Sequence, residues 1–413
     1  MPDDTSKPAA GDGAVIDARR GCSMARSASV TSPAFLFVMT TGVVNLFGDI
    51  TYEGGGSING PFMASLGASA AIVSITAGLG EFLGYALRLP AGYAADRTGR
   101  YWMITFVGYV INLFAVPAMA LAGSWQVAAA LVLAERIGRA LRKPTVEAML
   151  SYTTGELGKG WVYALNTALD ETGATLGPLI IALVLLLKGD FRTGYAFLTI
   201  SAVAALVALV GARVNFPLPS RLEQGHTAPA RDFGKAYWLY MLAGALFAAG
   251  LMSFELISYH LTKANIASEQ WIPVMLAIST AFGVLANLFF GKAYDRVGLP
   301  IVIAAVCVSA AFSPFVFLGG FWLVLFGMLL WGVGYAIQDT LLKAIVAEVL
   351  PEGKRNFAFG LYYAGYGVGW LAGSIVAGLL YENSLAVLIA FSSVIQLASV
   401  PIFILAGRQK RST

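Results

Sequence analysis

Uninterrupted apolar runs decide what this chain can fold into. "IIALVLLL" (180–187) is typical, and it lies inside a stretch long enough to cross a hydrocarbon core, which takes about 20 residues of helix. Twelve such spans can be drawn, with cores at 33–54, 70–94, 102–122, 125–142, 161–187, 194–213, 237–261, 271–293, 300–319, 321–346, 357–381 and 385–406. In lipid, backbone N–H and C=O groups must be satisfied by the spanning structure itself, which leaves helices or closed barrels. Barrel strands alternate apolar and polar residues, and these runs do not. With 58% hydrophobic and only 12% charged residues in 413, the chain reads as an all-α membrane protein.

Lys and Arg set the expected orientation, because cytoplasmic loops collect them. With the N-terminus inside, external loops hold only Lys188, Arg192 and Lys263. Internal loops and tails hold Arg97 and Arg100, Arg142 to Lys159, Arg213 to Lys235, Lys292 and Arg296, Lys354 and Arg355, and Arg408 to Arg411. Both termini are therefore expected in the cytoplasm of a multi-pass inner-membrane protein. The net charge of +4 reports this topology, so no nucleic-acid partner is expected. Residues 1–32 are rich in Asp, Ala, Ser and Gly without an apolar signal core, and are expected to form a disordered cytoplasmic tail in which Met24 is an alternative start. Two cysteines, Cys22 and Cys307, and two distant histidines offer neither a disulfide framework nor metal-ligand spacing.

The chain repeats itself. "GYAADRTGR" after the second span has a counterpart in "GKAYDRVGL" after the eighth, so Gly92, Asp96, Arg97 and Gly99 match Gly291, Asp295, Arg296 and Gly298. Gly173 and Gly177 of "DETGATLGP" likewise match Gly369 and Gly373 of "YGVGWLAGS". A six-span unit duplicated in tandem accounts for both. The expected division is an N-terminal bundle over 33–216, a cytoplasmic linker over 217–235, a C-terminal bundle over 236–406 and a tail over 407–413.

Twelve spans, internal duplication and this loop together resemble the major facilitator superfamily, and the likeness covers residues 33–406. The G-x-x-x-D-R-x-G-R signature of that family is similar to Gly92, Asp96, Arg97, Gly99 and Arg100, echoed by Asp295 and Arg296. The resemblance implies two pseudo-symmetric six-helix bundles. It also implies a gate in which Asp96 pairs with nearby cations and with the N-terminal end of the eleventh helix. "ERIGRALRKPTVEAML" (135–150) is similar to a basic fourth-helix pattern of bacterial members, with Val146 where a second Arg is usual and Glu147 in place of Asp. "GATLGP", with Gly173, Gly177 and Pro178, resembles the fifth-helix signature of antiporters. Small residues there permit close helix approach, and Pro178 is expected to bend the helix.

Ionisable groups at membrane depth are costly and by default mark function. The third, sixth, ninth and twelfth spans carry none in their cores, and in the family fold those helices lie outermost. Elsewhere stand Asp49, Glu53, Glu81, Arg88, Glu135, Arg136, Asp170, Glu171 and Glu255. Counting along each helix puts Glu81, Glu135, Arg136, Asp170 and Glu171 near mid-membrane, and Asp49 and Glu53 toward the outer side. Four carboxylates sharing a desolvated site with Arg136 cannot all ionise, so a proton is expected there. Asp170 or Glu171 is the expected carrier and Arg136 its partner. The alternative for this cluster is a set of structural ion pairs.

The C-terminal half offers rings: Tyr362, Tyr366 and Trp370 on the eleventh span, and Trp331 and Tyr335 on the tenth. With Glu255 they form the expected binding surface for an amphiphilic or cationic organic solute; helix packing is the alternative. No G-x-x-x-x-G-K-[ST] loop or catalytic constellation occurs, so neither ATP-driven pumping nor an enzyme is indicated. The expected protein is a monomeric secondary transporter in the lipid bilayer, without cofactor, energised by the proton gradient. Export of a small-molecule substrate by antiport is preferred, with uptake by symport as the alternative and a membrane sensor as the other class.

Overall fold

The computed structural model describes residues 33–151, 159–217, 234–349 and 355–411, and for residues 151, 159–161, 163–164, 339, 347–349, 355–359, 410 and 411 the backbone alone. Every regular element among these residues is helical. In chain order they are α1 (Pro33–Ser65), α2 (Ala70–Ala86), α3 (Arg88–Thr98), α4 (Tyr101–Ala118), α5 (Trp125–Ser151), α6 (Lys159–Lys188), α7 (Phe191–Phe197) and α8 (Thr199–Asn215) in the N-terminal half. The C-terminal half holds α9 (Lys235–Gly250), α10 (Phe254–Lys263), α11 (Trp271–Val297), α12 (Leu299–Ala310), α13 (Phe312–Leu318), α14 (Phe321–Ala336), a π-helical segment (Ile337–Leu341), α15 (Leu342–Val349), α16 (Arg355–Asn383) and α17 (Leu385–Arg411).

Ten of the described helical rods are long and apolar enough to cross a membrane. The expected fourth and tenth spans are helical too but fall short for different reasons. α5 buries a charged face, while α14 has only 16 residues before the π segment begins. Two boundaries differ from the hydropathy reading. The first helix runs to Ser65 rather than 54, and the fourth runs through Pro144 to Ser151 rather than ending at 142. In both cases polar residues that end the apolar run are buried on the bundle's inner face, so the helix outlasts its hydropathy signal.

The repeat is visible in the packing. Gly173 and Gly177 of α6 lie on the backbone of α1, where a Cβ would stand 2.5 Å from the Leu46 carbonyl oxygen and 2.6 Å from that of Ile50. Gly369 and Gly373 of α16 lie in the same way on Ala245 and Ala249 of α9. Backbones this close gain dispersion and weak Cα–H···O contacts that a larger residue would prevent. The duplicated sequence repeats a glycine with positive φ, Gly99 after α3 at φ 64° and Gly298 after α11 at φ 74°, which glycine adopts without strain, but the two differ in ψ, 6° against −141°.

Apolar side chains point outward at three- and four-residue intervals. Examples are Met103, Val107, Val110 and Phe114 on α4, Ile200, Val203, Val207, Val210 and Val214 on α8, and Val387, Val394, Leu397 and Leu405 on α17. These are faces for lipid. The halves meet where α2 runs along α16, α11 packs on α6, and the end of α1 packs on α10. At Gly60 of α1 there is no room for a Cβ beside the Glu255 carbonyl and the Ser258 hydroxyl of α10.

Candidate functional site

One face of α5 carries Glu135, Arg136, Arg139, Arg142 and Lys143, spaced so that they stack along the helix toward its neighbours. Arg136 is the centre. Its side chain is 8% exposed, and Nη1 lies 2.6 Å from Glu81 Oε1 of α2, Nη2 3.2 Å from Glu255 Oε1 of α10, and Nε 3.4 Å from Glu135 Oε2. One guanidinium thus joins two carboxylates of the N-terminal half to one of the C-terminal half. The ring of Tyr52 on α1 receives Arg136 at 4.9 Å and Arg139 at 4.0 Å from its centroid, a stacking geometry suited to guanidinium groups.

A second layer lies within the N-terminal half. The Asn112 amide of α4 donates to Glu135 Oε1 at 2.6 Å, while its carbonyl accepts from Arg142 Nε at 3.2 Å. Arg142, buried, also reaches Asp49 at 3.6 Å and donates to the Tyr109 hydroxyl at 3.2 Å. Tyr109 donates to Asn45 at 2.6 Å, Asn45 to Asn166 at 2.9 Å, and Asn166 to Asp170 at 3.4 Å; Lys143 meets the same Asp170 oxygen at 3.5 Å. Each polar group is held by another, as a low-dielectric interior requires.

The C-terminal half faces this cluster with a broken helix and a wall of rings. Between α9 and α10 the backbone is extended at Leu251 and Ser253, which frees carbonyl groups inside the bundle. Gly250 O accepts from Ser392 Oγ at 2.7 Å and Gln396 Nε2 at 3.1 Å, and Met252 O accepts from Trp331 Nε1 at 2.8 Å. α10 then restarts with Glu255 in its first turn, where the helix dipole favours a carboxylate. Ring centroids run from Trp331 to Tyr335 (4.3 Å), Tyr335 to Trp370 (6.2 Å), Trp370 to Tyr366 (5.9 Å) and Tyr366 to Tyr85 of α2 (5.8 Å). Gln338, in the π segment, donates to the Tyr85 hydroxyl and accepts from the Tyr366 hydroxyl at 3.0 Å. A π segment displaces the helix register locally and is frequent at functional sites. Trp370 Nε1, Tyr362 OH and Ser253 Oγ are buried donors with no protein acceptor.

Two halves that meet through a shared guanidinium, with a discontinuous helix beside it, are an arrangement that secondary transporters use. The sequence profile described as Major Facilitator Superfamily matches residues 34–337 and 236–412. The chain belongs to this superfamily. It is 33% identical over 375 residues to an uncharacterized protein of Mycobacterium tuberculosis, covering 89% of this chain and 92% of that one. It is 26% identical over 351 residues to an uncharacterized transporter of the same superfamily from Methanocaldococcus jannaschii, covering 82% and 86%. Its fold is similar to that of the nucleoside transporter NupG (TM-score 0.71, 14% identity, 90% of this chain and 98% of that one) and of the POT family transporter PepTSo (TM-score 0.73, 12% identity, 92% and 99%). The last three are described as transporters, and the present chain is a multi-pass membrane transporter of the same superfamily.

The geometry of the transporter redistributes the residues singled out in its sequence. Glu81, Glu135 and Arg136 come together, but Arg136 does not take Asp170 or Glu171 as its partner. α6 presents Asp170 toward the far end of α5, where Lys143 meets it, while Arg136 points to α2 and α10. Glu255, grouped by sequence with the rings, is instead the ion partner of Arg136. Arg142, counted by sequence among loop cations, is buried in α5 because the helix continues past it. Asp49 and Glu53 lie at the middle of α1, not toward its outer end, because α1 extends to Ser65.

Tyr362, Tyr366, Trp370 and Trp331 are buried and Tyr335 half-buried, in one continuous wall. Pro178 sits inside the unbroken α6. In the duplicated turns Gly92 rests near Pro144, Asp96 accepts a hydrogen bond from Tyr101 at 2.7 Å, and Arg97, Arg100, Asp295 and Arg296 are exposed. The expected pairing of Asp96 with the start of the eleventh helix involves side chains outside the described residues. Sequence reasoning missed Asn112, Arg139, Lys143, Tyr85 and Gln338 as parts of the site. The interval from Arg136 through Arg139 to Lys143 was a legible signal of one charged helix face; Gln338 carried none.

Proposed function

We propose that this transporter is a proton-coupled carrier of the inner membrane that exports a small organic solute by alternating access, with twelve spans and both termini cytoplasmic. The observation that carries the reading is Arg136, whose guanidinium is divided between Glu81 and Glu135 on one side of the interface and Glu255 on the other. With Glu53 nearby, four carboxylates surround the two guanidiniums of Arg136 and Arg139, so electroneutrality at this depth calls for protons. Rocking of the halves separates Glu255 from Arg136 and changes that count, which couples proton exchange to the motion. The adjoining rings and the buried donors of Trp370, Tyr362 and Ser253 suit a solute with a flat apolar body and a few acceptors. Export is preferred because "GATLGP" of α6 resembles the antiporter signature.

The test is a thermal-shift screen of the purified protein followed by counterflow of the stabilising compound in proteoliposomes, with and without a pH gradient. Accumulation against the compound's gradient, in the direction opposite to proton flow, is expected. Exchange indifferent to the pH gradient would make the protein a uniporter, and accumulation along the proton gradient would make it a symporter.

A further inference from the structure

We propose that Glu53 is the residue that carries the coupling proton, and that Arg139 is the cation that displaces it. This assignment rests on the proton-coupled reading above and names its site. Of the carboxylates in the interior, most are already committed as acceptors. Glu135 receives Asn112 on one oxygen and Arg136 on the other, at 2.6 and 3.4 Å. Glu81 and Glu255 are bound by Arg136 and Asp49 by Arg142, while Asp170 takes Lys143 and Asn166 on Oδ2 alone, its Oδ1 being buried without a donor. Glu171 also has a partner. Glu53 differs. Among the described residues no hydrogen bond or ion pair reaches its carboxyl, although it sits half-buried at the middle of α1.

The charged and titratable groups around Glu53 come from several helices: Asp49 on its own helix, Glu81 on α2, Arg139 and Glu135 on α5, Glu171 on α6 and Tyr335 on α14. Two cations stand near them, Arg139 and Arg136, both over the ring of Tyr52, and Arg136 is already held by Glu81, Glu135 and Glu255. The Arg139 guanidinium carbon lies 4.0 Å from the ring centroid of Tyr52, the residue preceding Glu53, and its Nε, like that of Arg136, is buried without a hydrogen-bond acceptor. A carboxyl without a donor thus stands beside a guanidinium without an acceptor, on two helices, α1 and α5. With α1 and α5 held together by Asp49 and Arg142, a change of rotamer that lifts Arg139 off Tyr52 would bring the two groups into contact. The carboxyl O–H bond then breaks, its electron pair stays on the carboxylate that Arg139 binds, and the proton passes to water on the side then open. The reverse change restores the protonated acid.

Infrared spectroscopy of the detergent-purified protein tests this without a transported solute, through the C=O stretch of a protonated buried carboxyl followed from acid to alkaline pH. Among the carboxyl components expected in the wild type, one is absent in Glu53→Gln and retained in Asp170→Asn and Glu171→Gln. Arg139→Gln, which leaves the carboxyl in place, should move the pH at which the band vanishes by a unit or more, about a tenfold change in proton affinity, while Lys143→Gln leaves it in place. Should Glu53→Gln not yield monodisperse protein, Glu53→Asp serves instead, with a displaced band frequency expected. A band that is unchanged in Glu53→Gln, has no component displaced in Glu53→Asp, or is missing from the wild type overturns the assignment. If Glu53→Gln loses the band but pH-gradient-driven counterflow persists at the wild-type rate, the assignment is overturned too. Failure of proton coupling itself would show separately, as counterflow by the wild type that ignores the gradient.

Discussion

Replacing Glu255 by Gln removes from Arg136 the one carboxylate supplied by the C-terminal half while preserving the side chain's size. At the 3.2 Å separation of Nη2 and Oε1, an effective dielectric of about 20 gives a Coulomb attraction of roughly 5 kcal/mol. Desolvation of both groups offsets much of this, and the Gln carbonyl still accepts a hydrogen bond from the guanidinium. A net loss of about 2 kcal/mol remains, close to a thirty-fold change in an equilibrium constant. Because Glu81 and Glu135 still hold Arg136 within its own half, the loss falls on the joining of the halves and not on the fold of either. The ensemble should therefore shift away from the conformation in which α10 meets α5. Spin labels at the exposed Ser65 and Ser268, in turns of the two halves, report this by pulsed dipolar spectroscopy once Cys22 and Cys307 are replaced. A second, longer distance population is expected in Glu255→Gln and only weakly in Glu255→Asp. Identical distributions in Glu255→Gln and the wild type would show that the bridge does not hold the halves together.

Gln338→Leu leaves the Tyr85 and Tyr366 hydroxyls without the amide they share, and should cost about 2–4 kcal/mol; an unchanged thermal midpoint would remove the amide from the set of structural bonds between the halves. Gly373→Val drives a side chain into the Ala249 carbonyl and should destabilise by about 1–3 kcal/mol or more, whereas Gly56→Ala, with open space around it, should be silent in the same melting experiment. Asp96→Asn, at the exposed end of α3, should leave stability within about 0.5 kcal/mol yet slow solute exchange; wild-type exchange would reduce this segment to a topology signal. Asp190 caps α7. Slight burial would raise its proton affinity, but the N–H groups of Arg192 and Thr193 and the Thr193 hydroxyl outweigh that and hold it below the ordinary carboxylate range. The cap is then fully present above pH of about 4 and lost as pH falls through the lowered value. The stability difference between wild type and Asp190→Ala, about 0.5 kcal/mol at neutral pH, should close on acidification.

Hydropathy and the internal repeat were sufficient for the architecture, because in lipid an apolar run of the right length has few alternatives to a helix. They failed at the ends of α1 and α5 for a physical reason. Arg139, Arg142 and Lys143 interrupt the apolar run, yet they are satisfied by Tyr52, Asp49 and Asp170 on neighbouring helices, so the chain has no cause to leave the bundle. The identity of the charged residues was legible from their cost. Their pairing was not, since whether Arg136 meets Asp170 or Glu255 depends on which side of α5 faces which helix. Gln338 was illegible for another reason: its reach to Tyr85 depends on a π segment that displaces the register of the tenth span.

The two halves share their internal packing but divide their chemistry, and the division bears on how they move. Gly173 and Gly177 on α1 repeat as Gly369 and Gly373 on α9, so each half is held together by equivalent backbone contacts that need not change during transport. What differs is the surface each turns toward the other. The N-terminal half keeps Arg142 and Lys143 paired with Asp49 and Asp170 inside itself, where they stiffen the bundle as a body. Among the described residues, one ion pair crosses between the halves, that of Arg136 with Glu255. The other polar crossings are neutral or single bonds: Ser74 Oγ to Ser374 O at 2.7 Å, Ala71 N to Glu382 Oε1 at 3.1 Å, and the amide of Gln338 on Tyr85. An interface with several buried ion pairs would lock, since each broken pair leaves a charge costing about 3–5 kcal/mol. A single pair, whose guanidinium retains Glu81 and Glu135 when Glu255 departs, can open without stranding a cation. Glu255 is then the group left unpaired, in the first turn of α10, where the helix N-terminus stabilises it as an anion. On the proposed reading the interface exchanges between two states, and a gap of a few kcal/mol is within the range that ligand binding can bias.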